Sequence, residues 1–84
     1  MSSATIQITV QYFAVFREQA GTRSELLATQ AQNAAALYAE LQGRYGFHLQ
    51  PAQLKVAING EFSDWQQSLQ AGDVVTFIPP VAGG

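Results

Sequence analysis

The first segment of the chain alternates strictly between apolar and polar residues. Across residues 5–12, every odd-numbered position is threonine or glutamine, and the even-numbered positions are Ile6, Ile8, Val10 and Tyr12. Successive side chains of a strand point to opposite faces, so this alternation predicts a strand with one buried face. Residues 14–20, followed by Gly21, indicate a short helix that ends at a left-handed glycine cap. Residues 22–28 indicate a weaker strand that can pair back on the first.

A pattern with the period of a helix follows Asn33. Its apolar positions recur three and four residues apart, at Ala34, Leu37, Tyr38, Leu41 and Tyr45. This spacing predicts an amphipathic main helix with Asn33 as its N-cap. Gly43 weakens the helix and Gly46 ends it.

The remaining apolar segments predict three further strands. Residues 54–58 alternate, and the Asn59-Gly60 dipeptide after them is strongly favoured in two-residue hairpin turns, so a return strand is expected from Glu61. A turn is expected at residues 71–73. Residues 74–78 are hydrophobic on both faces, which predicts a last strand in the centre of the sheet.

The order strand, short helix, strand, main helix and three strands predicts an α+β chain with the β-grasp, or ubiquitin-like, fold. We expect a mixed sheet of about five strands, with the first and last strands parallel in its middle. One main helix packs across this sheet, and a short helix follows the first strand. With 84 residues, the chain has room for one core. Residues 1–78 are expected to form the β-grasp domain, and residues 79–84 an extended C-terminal tail.

Charge and composition argue against several classes of function. The net charge is −2, and the cations are scattered, at Arg17, Arg23, Arg44 and Lys55, so binding to nucleic acid is not expected. The chain has no basic leader followed by an apolar block and no apolar run approaching 18 residues, so we expect a cytoplasmic protein without membrane insertion. Charged residues make up only 12% of the sequence, which favours contact with a partner.

The chain is also poor in catalytic side chains. It has no cysteine, which excludes a cysteine thiolate nucleophile and a sulfur-ligated metal site. His48 is the one histidine, and its apolar neighbours favour a loop or packing role over catalysis. Neither a catalytic metal site nor a bound cofactor is therefore expected.

The end of the sequence is its most informative part, and it reads Pro79-Pro80-Val81-Ala82-Gly83-Gly84. The two glycines have no Cβ, so they can enter a channel too narrow for a side chain. The prolines fix φ and remove two amide donors, so the tail should leave the sheet as an extended stalk. Six residues extend about 20 Å. The alternative is a frayed terminus without a function.

Several blocks of the sequence together resemble one family, the small subunits of molybdopterin synthase (MoaD-type sulfur carriers). The match spans nearly the whole chain in order, and the terminal block of two prolines and two glycines is its most specific part. The other blocks are Tyr12-Phe13-Ala14 with Phe16-Arg17-Glu18 and Gly21, Val56-Ala57-Ile58-Asn59-Gly60, and Ala71-Gly72-Asp73-Val74-Val75.

The resemblance implies a sulfur carrier in molybdenum cofactor biosynthesis. The carboxylate of Gly84 would be adenylated by a separate ATP-dependent adenylyltransferase (MoeB-type) and converted to a thiocarboxylate by a sulfur donor system. Inserted into the large subunit, it would pass sulfur to cyclic pyranopterin monophosphate. Two small and two large subunits would form a heterotetramer. The chain would act as a sulfur-donating co-substrate of this sulfurtransferase and would not be catalytic alone.

The resemblance also assigns roles to individual residues. Gly84 would be the reacting residue, and Gly83 would let it reach its site. Phe13, Phe62 and Ile78 would form an apolar patch for the partner beside the tail. The remaining partner-binding residues would be Pro79, Pro80, Val81 and Ala82.

Some assignments stay open at this stage. Ile78 departs from the aromatic residue often found before the prolines. Phe13 is exposed if the alternation of the first strand continues to residue 13, and it is buried if the chain bends at Ala14. Trp65 belongs either to the core or to a lid over the sheet edge, and the core is the expected place.

Other functions also remain open. A thiamine-type sulfur carrier also ends in two glycines, although the short helix and the two prolines favour the molybdopterin type. A tungsten-cofactor variant of the pathway has the same sequence features. A ubiquitin-like protein modifier and a β-grasp adaptor with an inert tail are the further alternatives.

Overall fold

The structure is a computed structural model that describes residues 5–79. Its elements follow the predicted order, with a short 3-10 helix that the sequence pattern did not indicate. They are β1 (Ile6–Tyr12), α1 (Val15–Ala20), β2 (Ser24–Thr29), α2 (Ala34–Tyr45), the 3-10 helix (Pro51–Gln53), β3 (Lys55–Ile58), β4 (Glu61–Ser63) and β5 (Val74–Ile78). The predicted tail from Pro80 onward lies outside the described residues, so the domain boundary after residue 78 stays a prediction.

The five strands form one mixed sheet in the order β2-β1-β5-β3-β4. Strands β1 and β5 are parallel, and the other neighbours are antiparallel. The central place of β5 and its parallel pairing with β1 confirm the predicted β-grasp arrangement. β5 is central because it pairs with β1 on one edge and with β3 on the other, which satisfies its backbone hydrogen bonds on both sides.

The β3–β4 hairpin has the two-residue turn that its sequence predicts. Asn59 and Gly60 both have positive φ, at 55° and 87°. A type I′ turn requires this backbone at both central positions, and asparagine and glycine tolerate it better than other residues do.

Helix α2 covers one face of the sheet. It begins at Asn33, whose Oδ1 accepts a hydrogen bond of 2.8 Å from the amide of Ala36, and it ends at Gly46 with a φ of 71°. Its buried residues face the inward side chains of β1, β3 and β5. They are Ala34, Leu37, Tyr38 and Leu41.

Tyr38 is the centre of an aromatic core cluster. Its ring centroid lies 5.1 Å from that of Phe77 and 6.1 Å from that of Phe16. Its hydroxyl donates a hydrogen bond of 2.7 Å to the carbonyl of Leu49. Trp65 is partly buried and stacks on Phe77, which agrees with the expected core role. These contacts join α1, α2, the loops and β5 into one core.

Glu25 ties α2 to the sheet through two tyrosines. Its Oε1 accepts hydrogen bonds of 2.6 Å from the hydroxyl of Tyr12 and 2.5 Å from that of Tyr45. Burial, and then the hydrogen bond to Glu25, raise the pKa of Tyr12 well above its ordinary value. The hydrogen bond to Glu25 is the main cause that raises the pKa of Tyr45. Both phenols therefore hold their protons more tightly in the folded chain than in the unfolded chain.

These raised pKa values predict a loss of stability in alkali. Above about pH 10, the unfolded chain binds fewer protons at Tyr12 and Tyr45 than the folded chain does, so the free energy of unfolding falls as the pH rises. Below that pH, their contribution is fully present. Urea unfolding followed by circular dichroism between pH 7 and pH 11 measures this fall. In Tyr12→Phe, the fall above about pH 10 should be shallower. An unchanged alkaline slope in that variant would contradict the prediction.

Candidate functional site

The sheet face opposite α2 carries a continuous row of paired residues. Gln11 pairs with Thr76, Thr76 with Ala57, and Ala57 with Phe62. Directly paired residues project to the same face of a sheet, so all four share one face. This row leads from β1 across the sheet to the edge strand β4. We call this side of the sheet the open face, because no described helix covers it.

Three residues predicted to bind a partner meet on the open face. Phe13, Phe62 and Ile78 line one groove of about 210 Å³, together with the row just described. Phe62 is 71% exposed and Phe13 is 47% exposed, while Ile78 is partly exposed. We call these three residues the docking patch. An exposed apolar patch of this kind is typical of a protein-protein contact.

A bend at Ala14 keeps Phe13 in the docking patch. Ala14 has φ 50° and ψ −121°, and the amide of Phe16 donates a hydrogen bond of 3.0 Å to the carbonyl of Phe13. The bend turns Phe16, which is fully buried, into the core, and leaves Phe13 exposed. The sequence left both placements of Phe13 open. The structure has the bend and the exposed ring together.

The predicted tail begins at the edge of the docking patch. Ile78 is the last residue of β5, and Pro79 directly follows it. Both line a second groove, of about 350 Å³, which Phe62 also borders. The other predicted site residues lie outside the described residues, and their roles stay predictions. They are Pro80, Val81, Ala82, Gly83 and Gly84.

Phe62 also borders a larger, polar groove that the sequence reading missed. This groove has a volume of about 580 Å³, and its carboxylates belong to Glu61, Asp64 and Asp73. Asp73 has a structural role, because its Oδ1 accepts from Nδ2 of Asn59 at 3.0 Å and its Oδ2 accepts from the amide of Gln70 at 2.8 Å. The sequence indicated the turn at residues 71–73. It did not indicate that Asp73 contacts the Asn59 turn, because that contact depends on the pairing of β3 with β5.

Metal-binding clusters and membrane-spanning helices are both missing from the described part of the chain. Between residues 5 and 79, no group of three or more histidine, aspartate or glutamate side chains is placed to hold a metal ion. No helix in this part of the chain is long and apolar enough to cross a membrane. His48 lies exposed in the loop after α2.

Comparison with known sequences places this chain beside sulfur carriers. The model of the ThiS family matches residues 10–84. The molybdopterin synthase sulfur carrier subunit of Escherichia coli (strain K12) is 34% identical to this chain over 80 residues. That alignment covers 92% of this chain and 99% of the relative.

Two solved structures share the fold of this chain and are also similar to it in sequence. The putative molybdopterin converting factor subunit 1 from Pyrococcus furiosus is 29% identical, with a TM-score of 0.74 over 90% of this chain and 99% of that chain. A protein in the complex of subunits 1 and 2 of molybdopterin-converting factor from Helicobacter pylori is 28% identical. Its TM-score is 0.65 over 94% of this chain and 100% of that chain.

The backbone of Ala14 predicts a substitution that stabilises the fold. A residue with a Cβ is strained at φ 50° and ψ −121°, by about 1–3 kcal/mol, and glycine is not. Glycine also adds entropy to the unfolded chain, which offsets about 0.4–1 kcal/mol of the gain. Ala14→Gly should therefore raise the free energy of unfolding by about 1 kcal/mol.

Urea unfolding of Ala14→Gly and of the matched control Val15→Gly tests this. Val15 begins α1, and its backbone has no positive φ, so its replacement by glycine should lower stability. Equal losses in the two variants would show that Ala14 is not strained.

Proposed function

Because the chain belongs to the ThiS family, we propose that it is the sulfur carrier subunit of a molybdopterin synthase. The relative from Escherichia coli supports this assignment over most of both chains. The observation that carries the proposal is the place where β5 ends. Ile78 belongs to the docking patch and is also the last strand residue before the tail. A partner that covers the patch thereby receives the tail at its own surface.

The reaction is proposed to take place at the carboxyl group of Gly84. An α-carboxyl group has a pKa of about 3.3 to 3.7, so at neutral pH it is an anion and a poor electrophile. Adenylation joins one carboxylate oxygen to the α-phosphorus of ATP and releases pyrophosphate. The carbonyl carbon then becomes open to attack by sulfur, and AMP leaves. The product is a thiocarboxylate, whose anionic sulfur is a nucleophile like the cysteine thiolate that the chain does not have.

Other proteins must supply the groups that this chain does not contain. The sequence has no glycine-rich phosphate-binding loop of the kind that would hold ATP, so we assign ATP to a separate adenylyltransferase of the MoeB type. A separate system donates the sulfur. The acceptor, cyclic pyranopterin monophosphate, is assigned to the large subunit.

Docking on the large subunit is proposed to use the docking patch and the tail together. The patch offers apolar side chains, Pro79 and Pro80 stiffen the tail, and the two glycines allow it to enter a narrow channel. The complex of two subunits from Helicobacter pylori supports a second subunit as the partner. We propose the heterotetramer of two small and two large subunits on the same basis. The similarity to the Escherichia coli relative favours a sulfur carrier of the molybdopterin type over one of the thiamine type.

The terminal glycine provides the first test of this function. Protein purified from sulfur-replete cells should show, by intact-mass spectrometry, the replacement of one terminal oxygen by sulfur. Deletion of Gly84 should abolish molybdopterin formation with the large subunit, because the reacting carboxyl group is displaced by one residue. Deletion of Ser2 and Ser3 at the other end should leave the reaction intact. Full activity without Gly84 would overturn the proposed function.

The docking patch provides the second test, with a control on the same face of the sheet. Phe62→Asp places a charge in the docking patch and should weaken binding to the large subunit roughly tenfold or more. Leu26 on β2 is 66% exposed and pairs with Thr9 at the far side of the open face. Leu26→Asp should therefore leave the affinity close to that of the wild type. Isothermal titration calorimetry measures both, and equal losses would argue against the patch.

A further inference from the structure

The open face of the sheet carries almost no charge. Within the described strands, the residues that pair on this face are apolar, or are glutamine, threonine or serine, with one exception. The exception is Lys55 on β3, which pairs with Ile78 of the docking patch. Lys55 is also the one lysine in the sequence. A single cation therefore stands inside an otherwise neutral surface.

Lys55 has an apolar surrounding. It borders the groove of about 350 Å³ at the start of the tail, together with Leu54, Phe62, Ile78 and Pro79. The side chain of Lys55 is exposed, so in the free protein its ammonium group is solvated by water. This solvation is available only while the groove is open.

Among residues 5–79, no carboxylate forms an ion pair with Lys55. The ion pair found among residues 5–79 joins Arg44 to Glu40 at 3.5 Å, and Lys55 takes part in none there. The carboxylates of Glu61 and Asp64 line the polar groove, which Lys55 does not border. A partner that covers the docking patch therefore meets an ammonium group that no carboxylate of the described residues neutralises.

Covering this ammonium group has a cost that depends on the partner. A charge removed from water without a partner strongly opposes binding, whereas a carboxylate that meets it restores favourable electrostatics. The same carboxylate would be left unpaired opposite an apolar residue. The charge at position 55 therefore discriminates between partner surfaces that are equally apolar.

We propose that Lys55 is a specificity residue of the interface, and that the large subunit presents a carboxylate side chain to it within an apolar surface. The inference rests on the proposed function, which identifies the partner. It goes beyond that function by stating the chemistry of the partner surface. An apolar surface without this carboxylate would be rejected, because Lys55 would be buried without a counterion.

Replacement of Lys55 by methionine changes the affinity in opposite directions, depending on whether the partner presents a carboxylate to position 55. Methionine is unbranched and of similar size, but it is apolar. If a carboxylate faces Lys55, Lys55→Met leaves that carboxylate unpaired, and we expect binding to weaken at least tenfold. If no carboxylate faces it, Lys55→Met removes a desolvation cost and adds apolar contact, so binding becomes tighter. Isothermal titration of the full-length chain with its large subunit measures the direction.

Three further variants complete the experiment. Lys55→Arg keeps the charge and should bind within a few-fold of the wild type, while Lys55→Glu should lose at least a hundredfold. Arg23→Met removes a cation outside the two apolar grooves and should have no effect. Thermal unfolding of each variant checks that the fold is intact.

The outcomes separate the inference from the proposed function. Tighter or unchanged binding of Lys55→Met, beside normal binding of the wild type, would overturn the role of Lys55 and leave the carrier function standing. A wild-type chain that does not bind the large subunit would overturn both.

Discussion

The parallel pairing of β1 with β5 is the constraint on which the candidate site depends. It places Tyr12 beside Phe77, so that the two strands end side by side. The next residues are Phe13 on one strand and Ile78 on the other, and they line the same groove. Residues that are 65 positions apart in the sequence thus form one patch. Strands β3 and β4 continue the sheet on the other side of β5 and bring Phe62 to the same groove.

The backbone at Ala14 serves the same arrangement. Chain reversal after β1 has to bring Phe16 into the core, where its ring lies 4.9 Å from that of Phe47. The sharp bend at Ala14 separates the two aromatic residues, one to the core and one to the open face. Backbone strain at such a position is typical of functional sites, where surrounding structure holds it in place.

Much of the fold could be predicted from the sequence, because its signals are local. The alternation in β1, the Asn33 cap and the Asn59-Gly60 turn each determine their own element, and the order of elements then leaves few topologies. The bend at Ala14, the double hydrogen bond to Glu25 and the use of Asp73 to join two turns are different. They depend on which side chains the pairing brings together, so no sequence window contains them. For the site, the resemblance supplied Phe62 and Ile78 as partners of Phe13, and strand register explains why they meet.

The two-layer architecture explains why the protein can act through a partner. One main helix covers only one face of a five-stranded sheet, so the other face must meet either water or another protein. A sheet face that is exposed to water usually carries several charged residues. Among the paired residues of the open face, Lys55 is the one charged residue. In a chain of 84 residues, the core uses most of the large apolar side chains, yet Phe13 and Phe62 remain outside it. Their exposure gives the open face an apolar surface that a partner can cover, and β5 ends beside this surface at Ile78.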